Sequence, residues 1–490
     1  MILKKLSAGI PGAHLRSASP DGELIDISQI VYRADDAAPG TIFACLRGVH
    51  ADGHDFAPAA VARGAAALLV ERPLGVDVPQ VVVPDGRLAM ALIAATIEGN
   101  PSREMTVVGV TGTNGKTTCA FLLHAVLQTA GYRAGLIGTI EARVGGAAEV
   151  VKHTTPESVD LQHLLARMRA AGDTACVMEV SSHALAQRRV AGIQFAAALF
   201  TNLTRDHLDY HADVEEYYLA KRGLFIRPGA EGKNPPAAAN LDDAFGRRLA
   251  VESGALGFGV THSAEVRPME IRHSRDGFWA HVATPRGPFE LESSLRGRFN
   301  VSNVMAVVAV GELLGLAHDE VARGIKAVAG VPGRFEPVNA GQPFEVLVDY
   351  AHTPDSLENV LREARKLTPD GRRLVVVFGC GGDRDRGKRP LMGAIAKALA
   401  DVAIVTSDNP RSEDPEAIID EIVAGAASGP AELIVDVDRR SAITRASEIA
   451  GAGDVVVIAG KGHERGQERD GVISPFDDRD VAREVLGALV

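Results

Sequence analysis

Apolar and polar positions alternate most regularly in the last third of the chain. Five apolar runs, FEVLVDY (344–350), RRLVVVFG (372–379), VAIVTS (402–407), ELIVDV (432–437) and DVVVIAG (454–460), are separated by helical stretches of the length a strand–helix–strand crossover needs. That pattern predicts a mostly parallel sheet with helices on both faces. Near the start, TIFACL (41–46), AALLVE (66–71) and QVVV (80–83) alternate with the Ala-rich stretches FAPAAVARGA and RLAMALIAATIEG, which reads as a small α/β unit. The polar stretch EGNPSREM (98–105) breaks the pattern before a new apolar strand, TVVGV, and AGVPGRFEPV (329–338) breaks it again. Between the breaks lies a long α/β segment carrying one hairpin-like insertion, Val266 to Leu295. The expectation is an α/β chain of three domains: a small N-terminal α/β domain over 1–101, a central P-loop ATPase-like domain with a mostly parallel sheet over 102–331, and a Rossmann-like C-terminal domain over 332–490.

Composition narrows the function. The 490 residues are 46% hydrophobic with 51 Gly and 25 Pro, and 52 Lys plus Arg against 63 Asp plus Glu give a formal charge of −11. An acidic chain repels a phosphate backbone at long range, so a nucleic-acid partner is not expected. No apolar run approaches the roughly 20 residues needed to span a bilayer, and MILKKLSAGIPGAHLRS lacks the apolar core of a signal peptide. A cytoplasmic protein that does not span a membrane is expected. Cys45, Cys119, Cys176 and Cys380 are scattered without CxxC spacing, which predicts reduced thiols and no zinc site.

The segment TVVGVTGTNGKTTCAFLLHAVL is an apolar strand, a glycine-rich turn and an amphipathic helix. Glycines let backbone amides close on phosphate oxygens, a helix N-terminus favours an anion, Lys116 reaches terminal phosphates and the hydroxyl of Thr117 suits Mg²⁺. The expected ligand is ATP or GTP, held by Gly112, Thr113, Asn114, Gly115, Lys116, Thr117 and Thr118. The strict phosphate-loop pattern would have glycine where Val110 stands.

Two more polar clusters follow apolar strands of the same segment: Glu179 with Ser181, Ser182 and His183, and Asp206 with His207 and Asp209. Residues beyond the carboxyl ends of strands line the crevice of an open α/β sheet, so Glu179 and His207 are expected to face the phosphates as Mg²⁺ ligands. In the last third, TSDNPRSEDP sets Asp408, Asn409, Pro410 and Arg411 side by side. Taken alone, this reads as the start of a helix, since Asn, Asp and Ser cap and Pro fixes φ.

In chain order, GTNGKTT (112–118), EVSSHAL (179–185), TNLTRDHLDYH (201–211), YLAKRGLF (218–225), GRFNVSN (297–303), PGRFE (332–336) and DYAHTPDSL (349–357) resemble the Mur ligase family, ATP-dependent amide-bond synthetases of peptidoglycan precursor assembly. The resemblance covers almost the whole chain, and the family shares the departure at Val110. It is strongest to the members that add the third residue of the stem peptide to UDP-N-acetylmuramoyl-L-Ala-D-Glu. The resemblance implies catalytic roles for Lys116, Lys221, Glu179 and His207, carbamylation of Lys221 into a carboxylate-like metal ligand, and Asn303 beside the adenine. It implies that Thr154 and Thr155 of HTTPES, together with Ser181, Gln187 and Arg189, bind the nucleotide-sugar peptide, with Val49, His50 and Ala51 of GVHADGHDF nearby. The family's Asp-Ser-Arg before a Pro-Gly turn reads here Arg33, Ala34, Asp35, and no uridine contact is named from it.

In this subfamily DNPR marks enzymes that take meso-diaminopimelate, whose second carboxylate a planar guanidinium grips through paired hydrogen bonds. By resemblance Arg384, Asp408, Asn409, Pro410, Arg411, Gly460 and Glu464 bind that amino acid, Glu464 facing the distal ammonium. The implied partners are small molecules (ATP, the UDP-linked dipeptide and diaminopimelate), acted on by a monomer. Ligation of L-lysine or another diamino acid, a nucleotide-binding module without ligation, and a folate polyglutamate synthetase are the alternatives; DNPR, HTTPES and GKGHE argue against the last.

Overall fold

Valine- and isoleucine-rich runs buried on both faces form the centres of three open sheets. A computed structural model describes residues 1–17, 19–48, 51–227, 233–274 and 276–489. The first sheet runs His14–Arg16, Gln80–Val82, Ala67–Val70, Thr41–Ala44, Gln29–Val31, with only His14–Arg16 antiparallel to its neighbour. Its two outer strands have three residues each, too few for a period to register in the sequence.

The second sheet has eight strands in the order Leu256–Phe258, Ala237–Asn240, Ala197–Phe200, Thr106–Thr111, Ala175–Glu179, Ala134–Ile137, Ala142–Val144, Ala147–Glu149. The first six are parallel and the last two turn back antiparallel. Thr106–Thr111, which feeds the glycine-rich turn, is flanked directly by Ala175–Glu179 and Ala197–Phe200. The turn and both polar clusters therefore leave the same edge of the sheet side by side. Helix Arg298–Leu313 is buried at every position from Val304 to Val310, so both of its faces are covered. The hairpin-like insertion forms a three-stranded antiparallel sheet, Arg267–Ser274, Gly277–Ala283 and Phe289–Ser293.

The third sheet runs Glu336–Pro337, Glu345–Asp349, Val455–Ala459, Leu374–Phe378, Val402–Val405, Glu432–Val435. The five strands expected from the sequence are parallel, in registers such as Val348 opposite Ile458 and Val375 opposite Val402. The two-residue Glu336–Pro337 adds an antiparallel edge, where a proline's missing N–H costs no ladder bond. A separate ribbon, Gly466–Arg469 with Val472–Pro475, pairs onto the DNPR turn: the Arg411 amide donates to the Glu468 carbonyl at 3.1 Å and the Asp470 amide to the Arg411 carbonyl at 2.7 Å. All four cysteines are buried free thiols. Among the described residues no helix is long and apolar enough to cross a membrane.

Candidate active site

Helix Lys116–Thr129 begins directly after Gly115, whose φ of 85° carries the chain into the left-handed region, and no side chain caps it. Helix geometry leaves its first-turn amides without intrahelical acceptors, which is the arrangement that binds an anion. A Cβ on Gly115 would stand 2.5 Å from Asn303 Oδ1, so the turn and helix Arg298–Leu313 meet closely there. The amides of Thr113 and Asn114 are held by the Asn202 carbonyl (2.9 Å) and Asn202 Oδ1 (2.8 Å). The Lys116 ammonium folds back onto the carbonyls of Gly112 (2.9 Å) and Thr113 (2.8 Å), and burial pushes its pKa down. Carbonyl contacts are a weak substitute for an anion, so the ammonium is poised for phosphate oxygens.

Glu179 is fully buried at the end of the neighbouring strand. Its carboxylate accepts from the Thr117 hydroxyl at 3.0 Å, the Thr139 amide at 2.8 Å and the Thr139 hydroxyl at 3.1 Å. Arg334 donates to the Thr117 hydroxyl at 3.0 Å from the other side. His207 adopts a left-handed φ of 54°, a conformation that stores strain in a residue with a Cβ. Its Nε2 lies 3.4 Å from Asp206, and burial lowers its pKa, holding the imidazole neutral as a metal ligand requires. Lys221 is 1% exposed, donates to the Gly112 carbonyl at 2.8 Å and sits 4.5 Å from the Tyr217 ring centroid. Burial, then the Lys116 charge, pushes its pKa well below the ordinary lysine value. Among the described residues no carboxylate pairs with it.

Among the described residues, no three His, Cys, Asp or Glu side chains form a preformed metal site. The donors that do meet, the Thr117 hydroxyl and the Glu179 carboxylate, are hard oxygens that suit Mg²⁺, whose remaining positions phosphate and water commonly fill.

The HTTPES loop lies against this cluster. Thr154 and Thr139 share a hydroxyl contact at 3.0 Å, and the Thr155 hydroxyl donates to the Glu179 carbonyl at 2.9 Å and accepts from the Ser181 amide at 3.1 Å. Arg189 donates to the Thr155 carbonyl at 2.9 Å and to Gln187 Oε1 at 2.7 Å, and pairs with Glu157 at 3.0 Å. The N-terminal unit reaches the same loop through Arg87, 3.3 Å from Glu157. Thr154, Thr155, Ser181, Gln187 and Arg189 are thus brought together. Of the other three residues expected to bind this substrate, Val49 and His50 lie outside the described residues, and Ala51 is an exposed residue whose carbonyl accepts from the Gly48 amide at 2.8 Å.

In the third sheet, the polar clusters all follow carboxyl ends of parallel strands. Arg411, with φ 54°, donates to the Gly382 carbonyl at 2.6 Å and lies 3.4 Å from Glu468. A Cβ on Gly381 would stand 2.9 Å from Arg411 Nη1 and 3.8 Å from Arg384 Cγ, so both arginines flank that glycine. Asn409 donates to Glu464 Oε2 at 2.8 Å. Gly460, at φ 117°, closes on Asp408: a Cβ there would be 3.0 Å from Oδ2.

One cavity of about 1480 Å³ joins these parts. Its wall takes in the phosphate turn, Glu179, His207, Lys221, Thr154, Thr155, Ser181, Arg189, Asn303 and Arg384, but not Asp408, Asn409, Pro410, Arg411, Gly460 or Glu464, which are tied to one another and to the ribbon. Among the further residues of the wall to which the sequence gives no role are Thr139, Arg334 and Asp355, the last accepting from Asn114 Nδ2 at 2.8 Å. Thr139 and Asp355 follow the strands Ala134–Ile137 and Glu345–Asp349, so the strand-end rule reaches them; neither stands in a charged cluster that draws the eye.

Family models match along the chain: Mur ligase family, catalytic domain over 26–98; Mur ligase middle domain over 110–311; and Mur ligase, glutamate ligase domain over 333–462. The chain is 46% identical over 477 residues, 96% of each chain, to the UDP-N-acetylmuramoyl-L-alanyl-D-glutamate--2,6-diaminopimelate ligase of Solibacter usitatus (strain Ellin6076). It is 44% identical over 489 residues, 99% of each chain, to the protein of that name in Geobacillus thermodenitrificans (strain NG80-2). A solved structure of a ligase of this name superposes with a TM-score of 0.70 at 33% identity, covering 100% of this chain and 99% of that one. A folylpolyglutamate synthase of Mycobacterium tuberculosis, at 20% identity and a TM-score of 0.63 over 82% of this chain and 95% of that one, shares the fold.

Proposed function

The chain belongs to the Mur ligase family, and on that premise we propose that it uses ATP to join meso-diaminopimelate to UDP-N-acetylmuramoyl-L-Ala-D-Glu in peptidoglycan precursor synthesis. The observation that carries this reading is the single cavity in which the phosphate turn, the HTTPES loop and Arg384 share one wall. We divide the chain into 1–101, 102–331 and 332–490, binding the UDP substrate, ATP and the amino acid respectively. We take a monomer as the acting unit.

In this mechanism the side-chain carboxylate of D-glutamate attacks the γ-phosphorus of ATP, ADP leaves and an acyl phosphate forms. Lys116 turns from the Gly112 and Thr113 carbonyls to the phosphate oxygens and offsets the charge that builds there. The free amine of diaminopimelate then attacks the acyl carbon, the tetrahedral intermediate expels inorganic phosphate, and the amine's proton passes to solvent. Thr117, Glu179, His207 and a carbamylated Lys221 would hold Mg²⁺, which when bound neutralises charge on the phosphate oxygens. Among the described residues Lys221 forms no ion pair with a carboxylate, and an amine whose charged form burial disfavours is the one that adds CO₂, which supports the modification. Thr154, Thr155, Ser181, Gln187 and Arg189 orient the nucleotide peptide, with Val49 to Ala51 nearby, and Asn303 lies by the adenine. Arg384 and the DNPR and GKGHE turns take the amino acid, and closure of the third unit would bring their residues to the cavity.

Phosphate release with ATP, Mg²⁺ and the UDP-linked dipeptide, comparing meso-diaminopimelate with L-lysine and weighing the product, tests this. Turnover with diaminopimelate and a product heavier by one diaminopimelate less water is expected. Turnover with lysine alone would overturn the specificity, and ATP binding without an amide product would leave a nucleotide-binding module.

A further inference from the structure

One ammonium in the third unit is wholly buried and has no part in the mechanism so far. Lys461 lies two residues beyond strand Val455–Ala459, and its side chain is 0% exposed. It donates to Asn409 Oδ1 at 2.9 Å and to Glu464 Oε2 at 3.2 Å, and lies 3.5 Å from Asp408 Oδ1. Asn409 closes the ring by donating through Nδ2 to the same Glu464 oxygen at 2.8 Å. Lysine can only donate, so its contact requires the oxygen of the Asn409 amide to face it and turns the nitrogen toward Glu464. The Glu468 amide, donating to Asn409 Oδ1 at 3.0 Å, enforces the same orientation.

The charges in this ring do not balance. Asp408 and Glu464 bring two carboxylates against the one ammonium, while the neighbouring Arg439 is already matched by Asp478 at 2.7 Å, both fully buried. Within the ring one negative charge is left over; Lys388, which donates to the His352 carbonyl at 2.9 Å, acts on Asp408 only from outside it. Glu464 is 31% exposed at its side chain, and its Oε1 has no protein partner among the described residues. Burial, then the Asp408 charge, pushes the Glu464 pKa up, in keeping with a carboxylate that has room for a further cation.

Resting on the ligase reading above, we propose that Lys461 is a positioning residue for the distal amino group of the diamino acid. It cross-links the DNPR and GKGHE turns, fixes the Asn409 amide, and holds Glu464 by Oε2 so that Oε1 receives the substrate ammonium. That ammonium supplies the missing positive charge. Without Lys461 two carboxylates would face each other, Glu464 would take up a proton, and the attraction for an ammonium would go with it.

The test compares meso-diaminopimelate with 2-aminopimelate, which keeps the distal carboxylate and lacks the distal amino group. In the wild-type protein 2-aminopimelate is expected to show a KM about tenfold higher or more. Lys461→Met, close in volume, is expected to raise the KM for diaminopimelate about 30-fold while the KM for 2-aminopimelate moves less than about threefold. The KM values for ATP and the UDP substrate should stay within about twofold, since the ring makes no contact with the phosphate turn. Equal losses on both amino acids would make Lys461 a structural residue and overturn the proposal. Should Lys461→Met fail to fold, Lys461→Gln, which keeps one donor without the charge, is measured the same way. Wild-type parity between the two amino acids would overturn the proposal without any variant. Wild-type protein that ligates neither amino acid would instead defeat the ligase reading, and the proposal with it.

Discussion

A Lys221→Ala protein is expected to lose about a thousandfold or more of its ligase turnover while keeping its fold and its affinity for ATP. The side chain is buried against the Gly112 carbonyl and the Tyr217 ring and, among the described residues, forms no ion pair with a carboxylate, so its removal empties a small space and breaks no salt bridge. An amine whose charged form burial disfavours costs little stability when lost from such a place; a lost metal ligand costs the reaction. If the acting group is a carbamate, formate or acetate should enter the vacated space and restore part of the rate. Lys221→Arg, which cannot carry the carbamate, should gain nothing from either. Steady-state rates with and without the short acids decide this, together with the carbonyl signal of protein equilibrated with ¹³C-labelled bicarbonate. A fully active alanine variant would remove Lys221 from the mechanism, and rescue of neither variant would leave it a positively charged or structural group.

The second large effect is expected at Arg411. Arg411→Ala should lower kcat/KM for meso-diaminopimelate by about 100-fold, the worth of a paired guanidinium–carboxylate contact, and leave activity with L-lysine close to its starting level. The left-handed φ of 54° is equally uncomfortable for alanine and arginine, so backbone strain does not confound the comparison. The guanidinium also donates to the Gly382 carbonyl at 2.6 Å, and that tie is the competing explanation. Arg411→Lys separates the two, since an ammonium can still reach a carbonyl but cannot pair side-on with a carboxylate. Equal losses with both amino acids would assign Arg411 to holding the turn.

The parts most legible in the sequence were those in which a local rule and the tertiary answer coincide. The five apolar runs of the last third became parallel strands, four of them because strands buried on both faces need unbroken apolar runs, while Glu432–Val435 is a partly exposed edge strand. The strand, turn and helix around Lys116 were equally clear, and the strand-end rule set Glu179 and His207 on one wall with them because their strands flank Thr106–Thr111. Strands of three residues or fewer, His14–Arg16, Gln29–Val31 and Glu336–Pro337, carry no period to read. Lys461 stands within GKGHE with no sign of its task, because in a sequence a lysine reads as a surface group and only packing makes it a buried hub. Thr139 and Arg334 meet around Thr117 and Glu179 from distant parts of the chain, which spacing cannot foretell.

The ribbon Gly466–Arg469 and Val472–Pro475 holds the Arg411 backbone on both sides, through the Glu468 carbonyl and the Asp470 amide. Its second strand opens with Val472 and Ile473, 64% and 70% exposed, so that end of the ribbon is free of the tight packing that restrains change elsewhere. Selection on the choice of amino acid therefore has a second handle, outside the four-residue motif: a residue gained or lost in the ribbon shifts its register, rotates the turn it grips and re-aims the guanidinium, while DNPR itself reads the same.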